Sequence, residues 1–101
     1  MNKPTTSNES EIQSFLQSHS EWNFEENNLV ATFMFENFKL VTAFVKKVMS
    51  AMIELNHHPD LMVTYSAVTI KTTTHDAGNK VSNKDTEIAK RISKIAQSTD
   101  T

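Results

Sequence analysis

Two different spacings of apolar residues alternate along the chain and predict its first elements. Over Ser10–His19 the apolar residues recur at intervals of three and four, which predicts a short helix. Over Trp22–Phe35 apolar and polar residues alternate instead, on either side of Glu26–Asn27–Asn28, whose residue types tolerate the backbone of a turn. We therefore expect a β-hairpin with one aromatic face directed into the core.

The next segment predicts a long helix from Phe38 to Asn56, with Asn37 as its N-cap. Its main apolar stripe consists of Phe38, Val41, Val45, Val48, Met52 and Leu55. Further apolar residues on both sides widen the apolar arc to roughly 220°, whereas a helix that lies on one core needs about 100°. We expect the surplus face of helix 38–56 to pack against another copy of the chain. The alternative is that the N-terminal helix covers it.

The following residues predict a pair of strands. Because Pro59 disfavours helical geometry in the residue before it, His57–His58–Pro59 should end the long helix. The segments Met62–Tyr65 and Val68–Thr74 are rich in β-branched residues, which favour strands. Ser66–Ala67 would form a turn or bulge between them, unless the two segments are one bent strand.

The last part of the chain predicts a loop and a closing helix. Residues 75–79 form the loop, in which Gly78 should adopt a positive φ. Ser82 followed by Asp85 resembles a capping box in which Asp replaces Glu, so we expect the helix to begin there. Its apolar stripe consists of Ile88, Ala89, Ile92, Ile95 and Ala96.

The order of these elements is α-β-β-α-β-β-α, which predicts an α+β fold. We expect a four-stranded, mostly antiparallel sheet with the helices packed on one face. The 101 residues are enough for one hydrophobic core. We expect a flexible lead-in over residues 1–9, a single domain over residues 10–97 and a flexible tail over residues 98–101.

Composition excludes several classes of function. The formal net charge is −2, so no basic field would attract nucleic acid, and we expect no nucleic-acid partner. The absence of cysteine excludes disulfides, thiolate catalysis and cysteine-based metal sites. Neither a signal peptide nor an apolar segment of membrane length is visible, so we expect a cytoplasmic protein without a membrane partner.

Three of the four histidines lie near the ends of predicted elements: His57, His58 and His75. Because imidazole titrates near neutrality, such a cluster suggests an acid and a base for proton transfer. The structural alternative is that His57 caps the long helix, His58 is solvated and His75 is a loop residue. Three imidazoles could also hold a zinc ion, but no HxH or HExxH spacing is present and we expect no metal. His19, in the first helix, should lie at the surface.

Residues 54–60 have the sequence ELNHHPD and are followed by Thr74–His75–Asp76, Gly78 and Asp85. This arrangement resembles the pterin-4a-carbinolamine dehydratases. The resemblance implies the same fold, and a homodimer or homotetramer packed through helix 38–56. It also implies dehydration of a 4a-hydroxytetrahydropterin to the quinonoid dihydropterin, without a metal or organic cofactor. Such an enzyme recycles the tetrahydrobiopterin of aromatic amino-acid hydroxylases, and a hydroxylase would then be a pathway partner.

Carried over by position, the resemblance assigns site residues. The active-site histidines would be His57, His58 and His75. We expect His57 and His75 to transfer protons and His58 to hold the pterin. The pocket would be lined by Asp60, Leu61 and Thr74. Two supporting carboxylates complete the prediction: Asp85, whose alternative role is that of a helix N-terminal residue, and Glu54.

Three residues depart from the pattern of the family. Ile53 stands four positions before the first histidine, where the family usually has a polar residue, and Glu54 is one position away and points elsewhere on the helix. Ala31 replaces a usual basic residue, and Leu61 replaces a frequent tryptophan. The retained histidines favour an enzyme. Ile53 favours the alternative, which is a non-catalytic pterin-binding or regulatory oligomerisation module of the same fold.

Overall fold

A computed structural model describes residues 9–78 and 80–99. The helices are α1 (Glu9–Ser18), α2 (Phe38–Leu55) and α3 (Asn83–Thr99), and the strands are β1 (Trp22–Glu25), β2 (Asn28–Met34), β3 (Asp60–Val63) and β4 (Ala67–Thr72). A 3-10 turn spans His75–Ala77. The element order is the predicted α-β-β-α-β-β-α, and the α+β fold is confirmed. Within the described residues no helix is long and apolar enough to cross a membrane.

The four strands form one antiparallel sheet in the order β1-β2-β4-β3. Glu26 and Asn27 both have positive φ, which is the backbone that a two-residue hairpin turn requires. A turn also joins β3 to β4, since the backbone N–H of Thr64 donates to the carbonyl of Ala67 at 2.8 Å. The second pair is therefore a hairpin and not one bent strand.

The helices cover one face of the sheet, and the core lies between them. Strand alternation directs Leu29, Val68 and Ile70 into this core, where they are completely buried. On the other face Met34 and Met62 are exposed. The hairpin prediction was wrong for one aromatic residue, because Phe24, on the edge strand β1, is half exposed.

The predicted N-cap of the long helix is confirmed, because the Asn37 side chain accepts a hydrogen bond from the N–H of Leu40 at 2.9 Å. The helix ends one residue earlier than predicted. Asn56 adopts a left-handed backbone, with φ 52° and ψ 47°, and its N–H bonds back to the last turn. Asn56 therefore ends the helix, two residues before His58, whose backbone Pro59 restricts.

The buried face of α2 only partly coincides with the predicted apolar stripe and is rotated around the helix from it. The buried residues are Val41, Phe44, Val48 and Ala51, because α2 packs against both the sheet and α3. Phe38, assigned to the stripe, is exposed, as are Met49 and Ile53. Helix α1 does not cover this flank and instead places Phe15 beside Trp22, with ring centroids 6.4 Å apart. The alternative that the N-terminal helix covers the surplus face was therefore wrong.

The ends of the chain are described in part. The predicted lead-in lies outside the described residues except for Glu9, which begins α1. Helix α3 continues into the predicted tail as far as Thr99, which is buried and donates its hydroxyl proton to the carbonyl of Ile95 at 2.8 Å. Residues 100 and 101 lie outside the described part of the chain.

Candidate active site

The C-terminus of α2 fixes the position of His57. After the left-handed Asn56 the backbone N–H of His57 donates to the carbonyl of Met52 at 3.1 Å, so the residue is held against the last helical turn. Two residues later Pro59 is buried, which fixes the direction in which the chain leaves. The His57 side chain is only 11% exposed and points toward the first turn of α3.

A capping box at the start of α3 fixes Asp85, as the sequence predicted. The Ser82 hydroxyl accepts a hydrogen bond from the N–H of Lys84 at 3.1 Å, and a carboxylate oxygen of Asp85 accepts one from the N–H of Ser82 at 2.9 Å. Asp85 is nevertheless completely buried. The carboxylate therefore begins the helix and also faces the inside of the protein.

Four donors converge on this buried carboxylate. Oδ1 accepts from Nε2 of His57 at 2.6 Å and from the hydroxyl of Thr72 at 2.5 Å. Oδ2 accepts from the hydroxyl of Thr74 at 2.7 Å, in addition to the N–H of Ser82. A carboxylate offers about four lone-pair sites, so this one is fully satisfied.

These contacts decide the ionisation state of Asp85. Burial on its own would raise the pKa of the carboxyl group, because the charged form loses its hydration. The hydrogen bonds from His57, Thr72, Thr74 and the Ser82 backbone stabilise the charged form and outweigh burial. The net effect lowers the pKa of Asp85 below its ordinary value of 3.8. Asp85 is therefore an anion at neutral pH.

The two ring nitrogens of His57 have different surroundings. The side-chain hydrogen bonds of His57 are all made by Nε2, to Asp85 and to the Thr72 oxygen at 3.2 Å. In the described part of the chain every buried side-chain nitrogen and oxygen has a hydrogen-bond partner. Nδ1 is therefore open to solvent, and the neutral ring keeps its proton on Nε2, beside the carboxylate.

The three predicted histidines border one cleft of about 220 Å³. Its lining residues are Asn56, His57, His58, Thr73, Thr74, His75, Asp76 and Lys84. His58 and His75 are exposed, whereas most of the His57 side chain is buried. The structural alternative describes only part of His57: its backbone N–H caps α2 through the Met52 carbonyl, but its ring binds Asp85.

Three residues predicted for the site lie elsewhere. Leu61 packs against the hydrophobic core, since its strand position directs it inward. Asp60 is exposed at the start of β3 and is not among the residues lining the cleft. Glu54 forms an ion pair with Arg91 of α3 on the surface. Of the two predicted supporting carboxylates, only Asp85 contacts a histidine of the cleft, which is His57.

The structure adds site residues that sequence reasoning did not find. Thr72 contacts both His57 and Asp85, and Thr73, Asp76 and Lys84 line the cleft. The sequence did not single out Thr72, because it has the pattern of any other β-branched residue in a strand. Asp76 and Lys84 had a weak signal, since each neighbours a residue that was predicted.

Two larger grooves run along α3, with volumes of about 590 and 410 Å³. Basic, acidic and small polar residues line them, together with Leu55 in one and Phe15 in the other, and neither contains a histidine. We assign the site to the smaller cleft because titratable groups converge there with a buried charge behind them. Among the described residues no group of three histidine, aspartate or glutamate side chains is arranged to hold a metal ion.

The cleft can exchange protons with a bound molecule at two different imidazoles. His57 is oriented by a buried anion and keeps Nδ1 open to solvent, and His75, on the 3-10 turn after β4, lines the same cleft. An oriented imidazole and a second one near it are the parts that general acid–base catalysis requires.

Comparisons with known proteins identify the family of the chain. A family model described as Pterin 4 alpha carbinolamine dehydratase matches residues 5–95. A relative from Sulfolobus acidocaldarius is 42% identical over 87 residues, which are 86% of this chain and 94% of the relative. A relative from Opitutus terrae is 37% identical over 93 residues, or 92% of this chain and 96% of the relative. Both carry the name "Putative pterin-4-alpha-carbinolamine dehydratase".

Solved structures share the fold. A transcriptional coactivator/pterin dehydratase from Brucella melitensis has a TM-score of 0.85 at 24% identity, over 91% of this chain and 99% of that chain. A pterin dehydratase-like protein identified as a RuBisCO assembly factor in the alpha-carboxysome has a TM-score of 0.62 at 18% identity, over 74% and 86% of the two chains. The matched family model and the two relatives together establish that this chain belongs to the pterin-4-alpha-carbinolamine dehydratase family.

Proposed function

We propose that this chain dehydrates a 4a-hydroxytetrahydropterin, with histidines as acid and base. The observation that carries the proposal is the convergence of His57, His58 and His75 on one cleft, with His57 bound to the buried anion of Asp85. Membership of the dehydratase family supplies the substrate class.

The proposed reaction needs two proton transfers. The C4a–O bond of the substrate breaks, and the hydroxyl group leaves as water after it receives a proton. A ring nitrogen of the pterin loses a proton, so the product is the quinonoid dihydropterin and no proton is gained or lost overall. His57, through Nδ1, and His75 carry out these transfers, and His58 holds the pterin. General acid–base catalysis of this kind contributes about 10²–10⁴-fold to a rate.

Other residues have supporting roles in this proposal. Thr74 lies at the wall of the cleft and donates to Asp85, so it both borders the pterin and fixes the carboxylate. Asp85 holds the His57 ring without touching substrate. The positions of Asp60, Leu61 and Glu54 do not support the roles that were predicted for them.

We also propose that a second copy of the chain covers the exposed flank of α2, which consists of Phe38, Met49 and Ile53. More than half of each side chain is exposed, and burying a large apolar side chain contributes about 1.5–3 kcal/mol. A homodimer or homotetramer through α2 would remove this surface from water. In the cell the enzyme would recycle the tetrahydrobiopterin of an aromatic amino-acid hydroxylase.

Histidine substitutions test the catalytic proposal. His57→Ala and His75→Ala should each lower turnover about a hundredfold or more, whereas His58→Ala should chiefly raise KM. His19→Ala is the matched control, because His19 stacks on Phe15 in α1 and lies outside the cleft. Turnover near that of the wild type in both His57→Ala and His75→Ala would refute the assignment.

A second candidate function has its own support. A pterin dehydratase-like protein of this fold is a RuBisCO assembly factor, and Ile53 is a highly exposed apolar residue here. The chain would then be a non-catalytic binding or regulatory oligomerisation module. Pterin binding measured by calorimetry, without any acceleration of dehydration, would favour this candidate over the enzyme.

A further inference from the structure

Thr72 is a buried threonine that contacts the candidate site without lining the cleft. It is the last residue of β4, and its side chain is on the core side of the sheet, where it is completely buried. A hydroxyl group in this position needs partners, since an unpaired buried polar group costs free energy. Its partners are the Asp85 carboxylate and the His57 ring.

The direction of each hydrogen bond follows from the number of protons available. The Thr72 hydroxyl has one proton and donates it to Oδ1 of Asp85 at 2.5 Å, an oxygen that is ionised and can only accept. The Thr72 oxygen, 3.2 Å from Nε2 of His57, then faces that nitrogen with its lone pairs. Both neighbours of Nε2 are acceptors, so Nε2 carries a proton in the neutral and in the charged ring.

We infer that Thr72 is a positioning residue for His57. Its hydroxyl orients Oδ1 of Asp85 and offers the Nε2–H group a second acceptor, so that the ring is held at two points and Nδ1 remains directed at the cleft. The catalytic consequence rests on the proposed dehydratase function, whereas the effect on the ring itself does not.

Removing the hydroxyl should leave the other half of the network intact. Oδ2 of Asp85 keeps both of its donors, Thr74 and the Ser82 N–H, so the carboxylate stays buried and charged. Oδ1 is left with His57 as its sole donor. The Nε2–H bond to Oδ1 should then strengthen, while the ring gains freedom to rotate about that single bond.

Three variants test the inference. Thr72→Val keeps the shape of the side chain and removes the hydroxyl, and Thr72→Ser restores the hydroxyl without the methyl group. Thr69→Val is the matched control in the same strand, because the Thr69 hydroxyl contacts Thr32 at 2.9 Å on the open face of the sheet. If Thr72→Val does not fold, Thr72→Ala compared with Thr72→Ser makes the same test.

The first readout is the proton NMR signal of the His57 Nε2–H group, measured without substrate. It should move downfield in Thr72→Val and stay in place in Thr72→Ser and Thr69→Val. The second readout is turnover, for which Thr72→Val should lower kcat about tenfold with little change in KM, as for loss of one hydrogen bond to a charged group. Thr72→Ser should restore most of it.

The outcomes separate this inference from the proposed function. An Nε2–H signal that does not move in Thr72→Val would overturn the inference. A loss of kcat in Thr72→Ser as large as that in Thr72→Val would also overturn it, because the effect would then come from packing of the methyl group. If the wild type does not accelerate dehydration at all, the proposed function fails, and the NMR signal still decides whether Thr72 positions the ring.

Discussion

The substitution Asp85→Asn should change which nitrogen of His57 holds the proton. An asparagine has the size of an aspartate but accepts hydrogen bonds on one side and donates on the other. The four groups around Asp85 are all donors, so two of them must face the new NH₂ group. The backbone N–H of Ser82 cannot become an acceptor, whereas the His57 ring and the Thr72 hydroxyl can.

The amide oxygen should therefore take the place of Oδ2 and the NH₂ group the place of Oδ1. Nε2 of His57 then has to accept, which moves the proton of the neutral ring to Nδ1. Nδ1 is the ring nitrogen open to solvent, so a neutral ring of this form cannot take a proton from a substrate there. Turnover should fall about a hundredfold or more, as for loss of a general base.

The effect on stability should be smaller than the four contacts suggest. Two hydrogen bonds to a charged group, each about 1.5–3 kcal/mol, are replaced by two neutral ones of about 1 kcal/mol each. The expected decrease in the free energy of unfolding is thus about 1–4 kcal/mol at neutral pH. The opposite orientation of the amide, with its NH₂ group against Ser82, would cost more, because the buried backbone N–H of Ser82 would lose its acceptor.

Three measurements check this prediction. Urea unfolding gives the free energy, ¹⁵N NMR of the imidazole gives the tautomer, and the dehydration assay gives turnover. Glu87→Gln is the control, since it removes one negative charge from an exposed residue of the same helix. A variant Asp85→Asn with the proton still on Nε2 and with the turnover of the wild type would refute the reasoning.

Three further predictions follow from the same structure. Because the pKa of Asp85 is lowered in the folded protein, the ionised carboxylate stabilises the fold above about pH 4, and this stabilisation is lost as the pH falls through the lowered pKa. The difference in free energy of unfolding between wild type and Asp85→Asn, measured in urea, should therefore shrink in acid. A difference that stays constant would contradict this. Added chelator should leave turnover unchanged, and inhibition that zinc reverses would indicate a metal site. Met49→Lys should reduce the oligomer seen by light scattering while Ser50→Lys, outside the exposed flank, should not; an unchanged oligomer in both would contradict the proposed interface.

Local sequence patterns predicted most of the fold because the interactions behind them are local. The capping box of Ser82 and Asp85 spans three residues, and the left-handed Gly78 and the N-cap Asn37 are decided by the nearest neighbours in the chain. Each was confirmed. Alternation in the strands likewise reports on one sheet with one buried face.

Tertiary packing decided what the patterns could not. Phe38 follows the helical period of α2, yet it is exposed because the sheet and α3 together bury the side of Phe44 and Ala51. The period gives the width of an apolar face but not which part of a wide face meets the core. Leu61 was assigned to the pocket by resemblance, and the register of β3 directs it inward instead.

The centre of the candidate site joins residues far apart in the chain. His57 and Asp85 are separated by 28 positions, and Thr72 and Asp85 by 13. The histidine pattern brought His57 to attention and the resemblance to a family assigned Asp85 to the site, although neither gave the contact between them. Thr72 has no motif at all, and only the folded arrangement reveals its role.

The most direct test of the central claim is a stopped-flow experiment with chemically generated 4a-hydroxytetrahydropterin. The loss of the 4a-hydroxyl adduct would be followed without protein, with the wild type and with His57→Ala. We predict clear acceleration by the wild type and its loss in His57→Ala. Equal rates with and without the wild type, under conditions where pterin binding is measurable, would contradict the claim and favour a binding module.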